Sequence, residues 1–158
     1  MTQSTDRIER KIFLKAPLAK VWHAVSDAPS FGDWFGVSLK GKTFAPGQRV
    51  QGQITHPGYE HLVWDVLIVE VAAERLLSFR WHPYAVDPDV DYSKELATLV
   101  EFELEPVEGG TMLSVVESGF DSVPGSRRIE AFRMNSGGWS EQMKNVEKYV
   151  VALQQAAS

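Results

Sequence analysis

The sequence predicts an α+β domain in which one strongly twisted antiparallel sheet wraps a long C-terminal helix. Three observations carry the prediction. Period-two segments follow one another through the middle of the chain, joined by short turns, which makes neighbouring strands antiparallel. Helical periodicity is confined to the two ends, the segregated order of an α+β architecture. Near the C-terminus, Trp139, Met143, Val146, Val150 and Leu153 recur at spacings of 4, 3, 4 and 3, one apolar stripe along a long helix.

Taken in order, Met1 to Asp6 read as a flexible tail and residues 7–156 as a single domain without internal repeat. "RIERKIFLKA" alternates, with Ile8, Arg10, Ile12 and Leu14 on one face and Glu9, Lys11, Phe13 and Lys15 on the other, so it is a strand. Pro17 suits the first turn of a helix. Leu18, Val21, Trp22 and Val25 then mark one helical face. "SDAPSFGDWFG" ends that helix and opens a short aromatic one around Phe31 to Phe35. "QRVQGQITH" and "LSFRWH" alternate as strands, and "LVWDVLIVEVAA" is a strand apolar on both faces. "HPGYEH" is a turn and "PYAVDPDVDYSKE" a long acidic loop. "TLVEFELEP" alternates cleanly, with Thr98, Val100, Phe102 and Leu104 inward and Glu101, Glu103 and Glu105 towards water. "VEGGT" turns the chain into the last strand, "MLSVVESGF". Ser126 can cap a helical segment, "RRIEAFRMN", which Gly137-Gly138 is expected to interrupt before the final helix. The count is about six to seven strands, two short helices after the first of them, and the long terminal helix.

Composition narrows the function. The 158 residues suffice for one domain with a sizeable core, since roughly 70% of the unfolded chain's surface is buried at this size. A net charge of −5 argues against a nucleic-acid partner, because phosphates call for a basic face. The absence of cysteine excludes disulfides, thiol catalysis and cysteine-ligated metal sites. The polar N-terminus holds no apolar targeting segment, and no apolar run reaches the roughly 18 residues of a membrane span, so a cytoplasmic location is expected.

Several patterns imitate known sites. "GVSLKGKT", Gly36 to Thr43, matches the phosphate-loop pattern letter for letter. Such a loop lies between a buried strand and a helix whose N-terminus faces the phosphates. Here Pro46 and Gly47 follow too soon for that helix, so the stretch reads as a loop and short strand. Asp87, Asp89 and Asp91 open like a calcium loop, but Tyr92 and Thr98 stand where Gly and Glu are needed. His23, His56, His61 and His82 lack the convergence of three or four ligands that zinc requires. No metal and no cofactor are therefore expected. Ser140 has no nucleophile-elbow context.

What stands out is aromatic: five Trp, eight Phe and four Tyr in one small domain. Trp22, Phe79, Trp81, Phe102 and Trp139 fall on inward positions, and Trp34 and Phe35 sit on the short second helix. Either these rings form an ordinary core, or they line an apolar pocket between sheet and helix in which Trp N–H and Tyr O–H are the polar groups.

The layout resembles the START-like, birch-pollen-allergen-like (SRPBCC) superfamily, and within it the activator of heat-shock protein 90 ATPase homologue family. The resemblance rests on "APLAKVWHAVSDAPSFGDWFG", "LLSFRWHP", "TLVEFELEPVEGGTMLSVVESGF" and "GGWSEQMKNVEKYV", and runs from about Arg7 to Leu153. It implies a helix-grip fold with a cavity between the sheet and the long helix. It also implies an apolar ligand in that cavity or, as alternatives, a co-chaperone role that stimulates a chaperone's ATPase and an enzyme of cyclase or dehydratase type. The eponymous co-chaperone carries a separate domain for its chaperone, while this sequence opens on the grip domain, so ligand binding is expected first. The expected lining is Trp34, Phe35, Phe79, Trp81, Phe102, Trp139 and Met143. No catalytic residue set carries over. An enzyme would need an inward titratable group, for which His23, Asp65 and Tyr149 are the candidates, and Asp65 is read first as a strand-edge acid in water.

Overall fold

Side-chain parity along the strands decides how this chain folds. In the computed structural model, which describes residues 6–82, 97–123 and 125–157, the elements run β1 (Arg7–Leu14), α1 (Leu18–Ser26), α2 (Ala28–Phe35), β2 (Val37–Ser38), β3 (Arg49–Ile54), β4 (Val63–Ala72), β5 (Leu76–Trp81), β6 (Thr98–Val107), β7 (Gly110–Ser118), a short 3-10 turn (Phe120–Ser122) and α3 (Gly125–Ala157). The seven strands form one sheet in the order β1-β7-β6-β5-β4-β3-β2, with every neighbouring pair antiparallel. It is an α+β helix-grip arrangement: a curved sheet closed by the long helix α3.

One face of each strand supplies the core. Ile8 and Leu14 of β1, Trp64, Val66 and Ile68 of β4, Leu77 and Phe79 of β5, Val100, Phe102 and Leu104 of β6, and Leu113 and Val115 of β7 are all buried. The opposite face carries Glu103 and Glu105, which are exposed. β4 is apolar on both faces in sequence, yet only one face is covered: Val63 and Val69 are exposed, and the register slips between Ile68 and Glu70. A one-residue slip re-aims the strand that follows it.

The helices are set by local chemistry. The Asp27 carboxylate accepts from the Ser30 backbone N–H at 3.2 Å and the Ser30 hydroxyl at 2.7 Å, capping α2. This starts α2 at Ala28, three residues earlier than the aromatic pattern alone marks. Gly36 ends α2 at φ 99°, a left-handed conformation that favours glycine. Within α2, a Cβ on Gly32 would collide with the Val37 carbonyl oxygen, so glycine there lets the helix dock on the start of β2.

One expectation needs correction. Gly137-Gly138 does not interrupt the C-terminal helix; α3 runs unbroken from Gly125 to Ala157. Glycine costs a helix interior only about 1 kcal/mol relative to alanine. The buried contacts of Ala131, Trp139, Met143, Val146 and Val150 on the same helix outweigh that. Arg10 adds a polar tether from β1: its Nε donates to Ser140 Oγ at 3.0 Å, and its Nη2 to Ser136 Oγ at 2.7 Å. The acidic loop with its calcium-like spacing lies outside the described residues apart from its last two positions, Ala97 and Thr98, and the Ser126 cap concerns a side chain that is also outside them.

The phosphate-loop look-alike has no helix after it. Val37–Ser38 pairs with β3, and Gly41 turns the chain at φ 77° towards coil. Among the described residues no group of three or more His, Asp or Glu side chains converges as a metal site. No helix among them is long and apolar enough to cross a membrane.

Candidate functional site

Much of the space inside the grip is taken up by rings. Phe31 of α2 is the hub, with Trp34, Phe35, Phe44, Trp64, Phe79 and Phe102 at centroid distances of 4.8 to 6.4 Å. Room remains beside the C-terminal ends of α2 and β5. There a mostly apolar cavity of about 180 Å³ is lined by Phe35, Trp81, Asn135, Gly138, Trp139 and Gln142. The four α3 residues are i, i+3, i+4 and i+7, one face of the helix. Trp81, Trp139 and Phe35 meet as a corner, with centroids 5.7 to 6.1 Å apart.

Behind this wall lies Glu117 of β7, which is fully buried. Four donors converge on its two oxygens. Oε1 accepts from Asn135 Nδ2 at 2.9 Å and Trp139 Nε1 at 2.8 Å. Oε2 accepts from Trp81 Nε1 at 2.6 Å and the Thr98 hydroxyl at 2.6 Å. The donor set suits a carboxylate, which is acceptor-only with about four lone-pair sites. Three of the six lining residues are thus held from behind by one acid. With its lone pairs occupied, Glu117 is built to orient its neighbours rather than to take a proton from a ligand. Across the cavity, Gln142 Nε2 donates to the Phe35 carbonyl at 2.9 Å, tying α3 to the end of α2.

The residues expected to line a pocket divide between wall and core. Phe35, Trp81 and Trp139 stand in the lining. Phe79 and Phe102 are fully buried in the ring cluster, and Phe102 stacks edge-on against Trp139 at 5.7 Å. Trp34 is buried, its Nε1 donating to the Ala24 carbonyl at 2.8 Å, and it borders a second cleft rather than this cavity. Met143 is buried one turn beyond Trp139.

The three candidate acids and bases lie elsewhere. Asp65 is on the outer face of the sheet, paired with Arg49 at 2.7 Å and accepting from Gln51 at 3.1 Å. His23 is exposed beside Asp27. Tyr149 borders the second, more polar cleft of about 390 Å³, together with Asp33, His56 and Lys148, on the other side of Trp34 and Phe35.

Sequence reasoning missed Glu117, Asn135, Gly138 and Gln142. Glu117 carried a signal: it continues the inward parity of Leu113 and Val115, where an acid is out of place. Asn135 lies four residues before Trp139, on the same helical face.

A curved antiparallel sheet gripping one long helix, with a cavity at their junction, defines the helix-grip class of ligand-binding folds. Within that class, residues 15–151 match the family described as Activator of Hsp90 ATPase homolog 1-like protein. The chain belongs to this family, a branch of the SRPBCC group. Solved structures with the same fold include protein MLL2253 from Mesorhizobium loti, at 25% identity and TM-score 0.69 over 92% of this chain and 97% of that one. Protein NE0264 from Nitrosomonas europaea is 19% identical, with TM-score 0.70 over 96% of this chain and 98% of that one. A protein from Arthrobacter aurescens is 14% identical, with TM-score 0.73 over 96% and 90%. Comparison with the curated proteins gave no significant match.

Proposed function

We propose that the protein binds a small apolar ligand in the cavity between α3 and the ends of α2 and β5. The observation that carries this reading is the wall itself: Phe35, Trp81 and Trp139 face about 180 Å³ of space, and a buried acid holds both indoles in place. Rigid apolar walls with a few fixed polar groups are what a small-molecule site requires. An apolar cavity of about 150 Å³ accommodates a benzene ring, so the volume suits one substituted ring or a compact aliphatic of that size. Phe79, Phe102, Trp34 and Met143 serve as the packed backing that keeps the wall from collapsing inward. An enzyme reading gains nothing from His23, Asp65 or Tyr149, none of which borders this cavity.

The test is titration of ¹⁵N-labelled protein with ethylbenzene, following the indole N–H signals. Saturable shifts confined to Trp81 and Trp139 are expected, with Trp34 and Trp64 unmoved. If no indole signal shifts up to the solubility limit of the ligand, the binding reading is wrong.

A further inference from the structure

We infer that the cavity selects a neutral aromatic ligand carrying one hydroxyl, and that Asn135 reads that hydroxyl. The inference rests on the binding reading above and adds its polar specificity.

The argument counts hydrogen-bonding groups. Both indole N–H groups of the wall are committed to Glu117 and cannot turn to a ligand. Gln142 is committed at both ends: Nε2 to the Phe35 carbonyl, and Oε1 to Asn145 Nδ2 at 3.0 Å. Asn135 differs. Its amide donates one N–H to Glu117, which fixes the flip of the group, because an amide oxygen facing that acid would meet no donor. Its Oδ1 is therefore turned away from the acid, and no donor among the described residues reaches it. It is not a buried orphan either, since Trp64 Nε1 is the one such atom among the described residues. Oδ1 is thus an oriented acceptor in a lining that is otherwise apolar or already engaged.

A hydroxyl is the small neutral group that satisfies it, donating to Asn135 Oδ1. Charge limits the rest of the ligand. Among the described residues no Lys, Arg or His lines the cavity, and a carboxylate lies directly behind three lining residues. An anionic head would be desolvated without a cationic partner. A quaternary ammonium would gain from the ring faces but brings no donor to Asn135 Oδ1, and a protonated amine would exchange its hydration for one neutral acceptor, because the lone pairs of Glu117 are taken. A neutral ring with a hydroxyl is what remains.

Four probes of one shape decide it: ethylbenzene, 4-ethylphenol, 4-ethylanisole and 4-ethylbenzoate, with phenyltrimethylammonium as a cationic control. Binding is measured by calorimetry and by the shift of the Asn135 side-chain amide. The phenol should bind about five- to tenfold more tightly than ethylbenzene and the anisole, the yield of one added hydrogen bond. It alone should move the Asn135 amide strongly. In Asn135→Ala, the ratio of phenol to ethylbenzene affinity should fall to about one. Should that variant fold poorly, the wild-type probe series and the amide shift still decide. Equal binding of phenol and ethylbenzene would overturn the selectivity and leave the apolar site standing. Tighter binding of the benzoate or the ammonium would overturn it as well. Binding of none of the five would remove both readings together.

Discussion

Replacing Glu117 tests how the cavity wall is held. In Glu117→Gln, one carboxylate oxygen becomes an NH₂ group. Its least costly orientation faces Trp81 and Thr98, because the Thr98 hydroxyl can turn to accept. Trp81 Nε1, now 2.6 Å from an oxygen, would then face a donor and lose its partner. An unsatisfied buried donor costs about 1–3 kcal/mol, and the two bonds left at the other oxygen weaken from charged to neutral by about 1 kcal/mol each. Relief from burying a charge offsets part of this, leaving a net loss of about 2–4 kcal/mol. Glu117→Met goes further. It strands the N–H groups of Trp81, Asn135 and Trp139, while the Thr98 hydroxyl keeps the Trp81 carbonyl at 3.5 Å as an acceptor, for a loss above about 4 kcal/mol out of a total stability of about 5–15 kcal/mol. Urea unfolding followed by far-UV circular dichroism measures both, with a lowered midpoint and unchanged slope expected. The melting temperature should fall by about 2–4 °C for each kcal/mol. The order wild type, Gln, Met is the critical result. A Met variant within about 1 kcal/mol of wild type would refute the reasoning, since buried ionic groups replaced by apolar ones are sometimes neutral.

Gly137→Ala and Gly138→Ala should each stabilise α3 by about 0.5–1 kcal/mol in thermal melts, because a Cβ at either meets no atom within 4 Å. Only Gly138→Ala should weaken ethylbenzene binding, since Gly138 lines the cavity and Gly137 does not. Lys42→Ala should leave the melting temperature unchanged, and ATP should not raise that of the wild type; a clear ATP-dependent rise would restore the phosphate-loop reading. The Glu60 carboxylate is held below the ordinary glutamate value by its own backbone N–H and that of Gly58. Its hold on the β3–β4 turn is therefore complete above the ordinary value and lost as pH falls through the lowered one, which a pH titration of the Gly58 amide signal would follow.

Most of the architecture was legible because it depends on side-chain period. Alternation in "TLVEFELEP" separates Val100 and Phe102 from Glu103 and Glu105, and any strand with one wet face must obey it. The stripe from Trp139 to Val150 marks the helix in the same way. The Gly137-Gly138 pair misled because local propensity is a term of about 1 kcal/mol, set against the burial of a whole helical face. The pocket residues were only partly legible. An inward parity says that Phe79 and Trp81 both face the interior. It does not say that Phe79 ends against Phe31 while Trp81 borders open space.

The sequence by itself therefore determined which face of each strand turns inward, the strand and helix order, and the aromatic supply of the interior. The tertiary structure alone decided where the rings leave a gap and what fixes its walls. The donors around Glu117 come from β5, β6 and two places on α3, between 18 and 36 residues away along the chain. An inward glutamate reads as an anomaly until folding brings those four groups to it. Whether packed side chains fill or leave a volume depends on the sum of their shapes in three dimensions, which no period along one dimension encodes.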